Sequence, residues 1–316
     1  MFALPLMILG GALLPIQTTF NSRLRESVGS PFLSSLASFV GGTLFLLFLS
    51  TVVEGYFWFS PEDVSGQPFW IWIGGLLGVI GLTTNIFIFP KLGGVQSVIL
   101  PITGQILMGL IIDQFGLFHA PQTSPLTPFR SIGAALVLTG VFAAILLGRR
   151  AKAPASGTQQ QGATSSSGQL GWQALAIFSG FLMAMQSPIN ARLGTLIGSG
   201  LKAALVSFTV GTLVLLLLAL ALRLKFRVRV PDGKTANPLW MWVGGPLGAI
   251  FVTFNALFVP ILGAGSTIMA ALTGMVTASL IVDKFGIFEA PRRPVTVLQA
   301  AGIAVMLAGV ALIRLT

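Results

Sequence analysis

"FWIWIGGLLGVIGLTTNIFIFPKLGG" occupies residues 69–94, and "LWMWVGGPLGAIFVTFNALFVPILGA" occupies residues 239–264, 170 positions later. Each is an apolar run of roughly the ~20 residues that a helix needs to cross ~30 Å of hydrocarbon. Neither alternates apolar and polar residues as a transmembrane β-strand would. The match extends outward. "TGQILMGLIIDQFGLFHAP" (103–121) pairs with "TGMVTASLIVDKFGIFEAP" (273–291) at the same offset. Gln17, Asn21, Arg23 and Leu24 pair with Gln186, Asn190, Arg192 and Leu193, and Gly133 and Gly140 with Gly302 and Gly309, all 169 apart. The chain contains an internal repeat, and its period sets the organisation of everything else.

The chain has 316 residues, of which 54% are hydrophobic and only 8% charged, with a mean hydropathy of +0.91. Soluble domains carry about 25% charged residues, so these side chains cannot cover a water-facing surface. Ten apolar runs lie near 3–20, 32–53, 69–89, 95–112, 130–148, 172–190, 202–222, 239–259, 264–282 and 296–313. The expected fold is all-α: an integral membrane protein with ten transmembrane helices. The first run has no basic leader and no small-residue cleavage motif, and reads as the first helix, not as a removed signal. Residues 1–148 form the first five-helix repeat and 172–316 the second. Between them, 149–171 is a Gly/Ser/Gln/Ala-rich linker, whose coil would span roughly 25–30 Å. An odd number of spans per repeat forces the second copy to enter the membrane upside down, the inverted build that places a transporter's site near the midplane between halves.

Lys and Arg orient the chain. With ten spans, one side holds 4 of the 18 (Arg130, Arg192, Lys202 and Arg314) and the other side holds 14. Such asymmetry is the positive-inside signature of a multi-pass inner-membrane protein. It puts both termini outside and the linker in the cytoplasm. The net charge of +10 therefore orients the protein in the bilayer and does not point to nucleic acid. There are no cysteines and one histidine, no HExxH pair and no GxxxxGK[ST] phosphate cradle. Enzyme chemistry, a metal, a cofactor and ATP-driven transport all lack residues.

The doubled five-helix unit, the first-helix pattern "PIQ…N…L" and the "W-x-W-x-GG…G…N…P" third helix resemble the YdcZ-like branch of the drug/metabolite transporter superfamily, in its fused tandem form. The resemblance covers all but the linker. It implies helices from both halves facing each other around a central cavity. The small multidrug resistance branch of that superfamily carries a glutamate in its first helix; here that helix holds Gln17 and Asn21, and no acid.

Gln17 and Asn21 share one helix face, as do Gln186 and Asn190, and Asn85 and Asn255 are a further matched pair. Amides are costly in hydrocarbon, so these six are the candidate substrate-binding residues, with interhelical hydrogen bonding as the plainer role. Arg23 and Arg192 fall at opposite membrane faces and are candidate gate charges, the alternative being side chains that snorkel to anchor helix ends. Ser34, Ser38 and Gly42, repeated as Ala203, Ser207 and Gly211, and the stripe Gly74, Gly78 and Gly81, repeated in part as Gly244 and Gly248, read as packing faces. Asp113 and Asp283 read as caps of short connecting turns, and His119, facing Glu289 in the other copy, as an ordinary loop histidine. The expected function is secondary transport of a small neutral, zwitterionic or amphipathic metabolite by alternating access, with or without a coupling ion. A passive facilitator and a non-transporting scaffold are the alternatives.

Overall fold

The computed structural model describes residues 2–120, 127–143, 166–289 and 296–315. Among them the regular structure is all helical: α1 (Ala3–Val28), α2 (Pro31–Glu54), α3 (Gly74–Phe115), α4 (Pro128–Phe142), α5 (Ser166–Leu196), α6 (Gly200–Ala221), α7 (Gly244–Leu262), α8 (Ala264–Phe285) and α9 (Val297–Leu315). Among the described residues, α1, α2, α5, α6, α7 and α8 are long and apolar enough to cross a membrane. Helix α5 begins at Ser166, inside the stretch read as linker; residues 151–165 lie outside the described residues.

Helix α3 joins the third and fourth apolar runs over 42 residues. At 1.5 Å per residue a straight rod would hold its ends ~63 Å apart. Yet Trp70, just before α3, and Phe118, just after it, bring their ring centroids within 5.5 Å. Gly78 packs on Gln186 while Gly104 packs on Ile177 and Gly180. On a straight rod those two glycines would be ~39 Å apart, far more than the stretch of α5 they both touch. The segment is thus a hairpin of two antiparallel arms, reversing between Ile88 and Pro101. In the second repeat the same reversal falls at Gly263 between α7 and α8. Its φ of +82° and ψ of +159° form a conformation that only glycine adopts readily. With the arms counted separately, ten helical segments lie among the described residues, one for each apolar run.

The strongest helix contacts run between repeats. Helix α1 lies against α7 and α8, α5 against the two arms of α3, α2 against α6, and α4 against α9. The crossing points repeat as well. A β-carbon on Gly11 would fall 2.0 Å from the Ala271 carbonyl oxygen, and one on Gly274 1.8 Å from that of Ile8. In the other copy Gly180 would meet Pro101 O and Gly104 would meet Ile177 O, each at 2.1 Å. Backbones at such range are possible only for glycine, the close approach on which helices in lipid rely. The Ser/Gly stripes belong to the same seam: Gly245 sits on Ser38 O and Gly42 N, and Gly75 on Ser207 O and Gly211 N. They pack, as their spacing suggests.

Polar side chains gather the loops into two ends. Arg23, Ala236, Asn237 and Glu289 meet at one end. Glu54 with Lys202, Gln67 with Arg192, and Asp113 with Ala264 meet at the other. This sorting is what ten alternating crossings require.

Candidate functional site

The amides and the glycine stripes prove to be partners. Gln17 and Asn21, on α1, rest on the glycine face of α7. A β-carbon on Gly248 would lie 2.5 Å from Gln17 Nε2, and one on Gly244 2.4 Å from Asn21 Oδ1. Gln186 and Asn190, on α5, rest on the first arm of α3, where a β-carbon on Gly78 would be 2.9 Å from Gln186 Nε2 and one on Gly74 2.0 Å from Asn190 Oδ1. At these four positions the amide heads occupy the volume of the missing side chain, so a β-carbon there would displace them. Each repeat lends its amide pair to the other repeat's third span, so the seam carries two equivalent polar patches. The structure places the two pairs in separate patches.

The amides differ in how far the protein satisfies them. Asn190 is buried and donates from Nδ2 to Ser207 Oγ at 3.3 Å. Asn255 is buried, accepts from Ser187 Oγ at 2.8 Å and donates to Phe251 O at 2.9 Å, which ties α7 to α5. Gln17 and Gln186 are half-buried. Asn21 Oδ1 is shielded from solvent and, among the described residues, accepts no hydrogen bond, although Ser34 Oγ donates to the Asn21 backbone carbonyl at 2.7 Å. The side chain of Asn85 lies outside the described residues, as does that of Asp283.

Arg23 sits inside α1, 4% exposed. Its Nη1 donates to Ser27 Oγ at 2.8 Å, and its Nη2 to Ala236 O at 3.0 Å and to Asn237 Oδ1 at 3.3 Å. Its Nε faces Glu289 Oε2 at 3.5 Å, and Lys234 Nζ bonds the same oxygen at 2.5 Å. That lysine hydrogen bond, helped by the charges of Lys234 and Arg23, holds the Glu289 carboxyl below its ordinary value against the opposing effect of burial. Phe20, Trp240 and Phe288 close an aromatic cluster beside the pair. Arg192 occupies the matching place at the opposite end. It is half-buried, and its Nη2 donates to Gln67 Oε1 at 3.4 Å. His119 stands where Glu289 does, stacked on Trp70 at 5.8 Å.

Two features escaped the residue pattern. Asp113 does not cap its own turn. It is 1% exposed and caps α8, accepting from Ala264 N at 2.7 Å and Gly265 N at 3.0 Å. Arg130 Nη2 completes the cluster, 3.3 Å from Asp113 Oδ2 and 3.4 Å from Ser266 Oγ. A carboxylate at a helix N-terminus satisfies amides that have no partner within the helix, so Asp113 clamps the Gly263 reversal from the other repeat. Lys202, 3% exposed, is held by Glu54 at 3.0 Å and lies 3.4 Å from the Tyr56 ring centre.

A family model described as "Putative inner membrane exporter, YdcZ" matches residues 2–143 and again 171–312. The two matches divide the chain into the tandem copies seen in the fold. No curated protein matches the chain. One solved structure, titled only "Crystal structure of protein", superposes with a TM-score of 0.66 over 99% of this chain and 96% of its own, at 15% sequence identity; at that identity it shows the fold alone. This chain, a multi-pass protein of the inner membrane, therefore belongs to the YdcZ family of membrane transporters in the drug/metabolite transporter superfamily.

Proposed function

We propose that the protein is a secondary transporter that carries a small neutral, zwitterionic or amphipathic metabolite by alternating access, the two repeats rocking about their shared seam. The observation that carries this reading is the amide–glycine seam. Gln17 and Asn21, and Gln186 and Asn190, sit on helices of one repeat against bare backbone of the other, where a relative motion of the halves would uncover polar groups. In this reading the four amides, with Asn85 and Asn255, line the path. Arg23 and Arg192 close its opposite mouths, a coupling ion is a possible second passenger, and the family's description favours export. The basic excess on the loops at the Arg23 end puts that end, and the 149–171 linker, in the cytoplasm, with both termini outside.

The chain has no cysteine, so single cysteines at positions 17, 21, 85, 186, 190 and 255 can be labelled from either face of oriented vesicles. Labelling that depends on the side of addition, and is relieved by a transported solute, supports the reading. Inertness at all six positions points to a scaffold. Labelling from both faces at once, without counterflow stimulation, points to a passive facilitator. The Ser187–Asn255 bond favours a structural role at that one position.

A further inference from the structure

The two mouths share one plan, an arginine on the first helix of a repeat facing an amide on a loop of the other, but differ in the charges around it. At one, Arg23 Nη2 donates to Asn237 Oδ1 at 3.3 Å; at the other, Arg192 Nη2 donates to Gln67 Oε1 at 3.4 Å. Asn237 and Gln67 are repeat mates, 170 residues apart. The third member of each set lies on a loop held in the same unusual conformation. Phe118 and His119 have φ of +60° and +58°, and Phe288 and Glu289 have φ of +56° and +64°. Left-handed backbone at two successive non-glycine residues is costly and persists only where its surroundings enforce it. His119 therefore stands at the position that Glu289 holds in the other copy, and both loops lean on a tryptophan, Trp70 and Trp240.

The consequence is electrostatic. Among the described residues neither arginine's Nε makes a hydrogen bond, but that of Arg23 faces the Glu289 carboxylate at 3.5 Å. Among the described residues, Arg192 has no carboxylate within ion-pair distance, and Glu54 at the same end is engaged by Lys202 and Ser199. A partly buried guanidinium with one long bond to a neutral amide is an incompletely satisfied charge.

We propose that the Arg192 mouth is a carboxylate-binding site, formed by Arg192, Gln67, His119 and Trp70, in which the carboxylate of a bound solute takes the place that Glu289 fills at the other end. The chain's own Glu289 shows how such an anion would sit on an arginine in this setting. The proposal rests on the transporter reading for its purpose, and narrows the solute to one bearing a carboxylate, free or zwitterionic. The binding itself can be measured without transport.

The test uses full-length protein in phosphatidylcholine nanodiscs, which supply no anionic headgroup, and radiolabelled phenylacetate in equilibrium dialysis, with phenylacetamide as the uncharged isostere. Phenylacetate should bind saturably and the amide about tenfold or more weakly, the size of effect expected when a charged hydrogen-bond partner is lost. Arg192→Gln and His119→Glu should each weaken phenylacetate about tenfold or more, the first by removing the cation and the second by supplying an internal competitor. Arg25→Gln, an exposed charge on α1, should leave binding unchanged. Absence of saturable binding to the wild type, equal binding of acid and amide, or indifference to both site variants would overturn the site. Counterflow measured on the same preparations separates the two proposals. Binding without counterflow sinks the transport reading and leaves the site standing, whereas counterflow with no discrimination between acid and amide sinks the site alone.

Discussion

Replacing Asp113 by Asn tests whether the clamp at the Gly263 reversal holds the repeats together. The substitution keeps the shape and one amide acceptor but removes the charge. Arg130, whose side chain is 4% exposed, is left as a buried cation beside a neutral amide where its carboxylate stood. Breaking a buried ion pair by removing one member costs about 3–5 kcal/mol, chiefly through the charge left behind. Loss of the negative charge from the α8 N-terminus adds to this by up to about 1 kcal/mol. At about 2 °C per kcal/mol for a chain of this size, the apparent unfolding midpoint, followed by tryptophan fluorescence in detergent, should fall by about 6–12 °C. Arg130→Gln alone should fall by a comparable amount. The double variant should recover much of the loss, because neither charge then lacks its partner, giving a coupling of about 2 kcal/mol or more in the double-mutant cycle. If Asp113→Asn shifts the midpoint by under about 2 °C, or the two single effects simply add, then Asp113 is a solvated interfacial acid and the clamp is wrong.

Three further outcomes follow from the same contacts. Glu289→Gln should loosen the Arg23 mouth, raising maleimide labelling of an Asn21→Cys variant from that side by no more than about fivefold, since exposed pairs contribute about 1 kcal/mol at most. High salt should mimic it. Because the carboxyl is held below its ordinary 4.5, the pair's contribution is fully present at neutral pH and is lost only as pH falls below that value. A labelling step near pH 6.5 would contradict this. Gly274→Ala and Gly104→Ala, whose β-carbons would strike Ile8 O and Ile177 O, should each lower the midpoint by several degrees, while Gly171→Ala, with open space around it, should leave it within a degree. A double-mutant cycle of Ser187→Ala with Asn255→Ala, read from the same midpoints, should return a coupling of about 0.6 kcal/mol, the average for membrane hydrogen bonds. A coupling near zero would break the α5–α7 tie.

Composition and repeat made the span count, the two copies and the small-residue packing faces legible, because each leaves a one-dimensional trace. What stayed hidden depends on crossings between copies. That Gly244 and Gly248 are the seats of Asn21 and Gln17 follows from two helices more than two hundred positions apart, and no spacing along either helix encodes it. Asp113 was misread for the same reason: its partner amides lie on a helix 151 residues later. A trace did exist in the small-residue run "GAGS" at 263–266, beside a glycine that had to adopt a left-handed turn. Lys234 gave no signal of its own, but the mismatch of His119 with Glu289 did. An unmatched residue in an otherwise faithful repeat is where the two ends were made different, so it carried more information than a loop histidine usually does.

That mismatch bears on what biases the cycle. Two identical inverted copies would populate two states related by a two-fold rotation equally, and only differences between the copies can tilt the balance. Among the described residues the Arg23 mouth is held by a guanidinium, a carboxylate, an ammonium and two carbonyl-type acceptors, against one 3.4 Å amide contact of Arg192 at the other mouth. On the alternating-access reading the resting protein should therefore be closed at Arg23 and more accessible at Arg192. Exchanging the pair, His119→Glu together with Glu289→His, should reverse the preference. In wild-type background an Asn190→Cys label should react faster from its mouth than an Asn21→Cys label from the other. In the exchanged protein the order should invert, with the net change bounded by the same few-fold limit as any half-exposed ion pair. If the ratio of the two labelling rates stays put while the exchanged protein folds normally, then the ion pair decorates the Arg23 mouth without gating it, and the bias must come from the Asp113–Arg130 clamp at the other end.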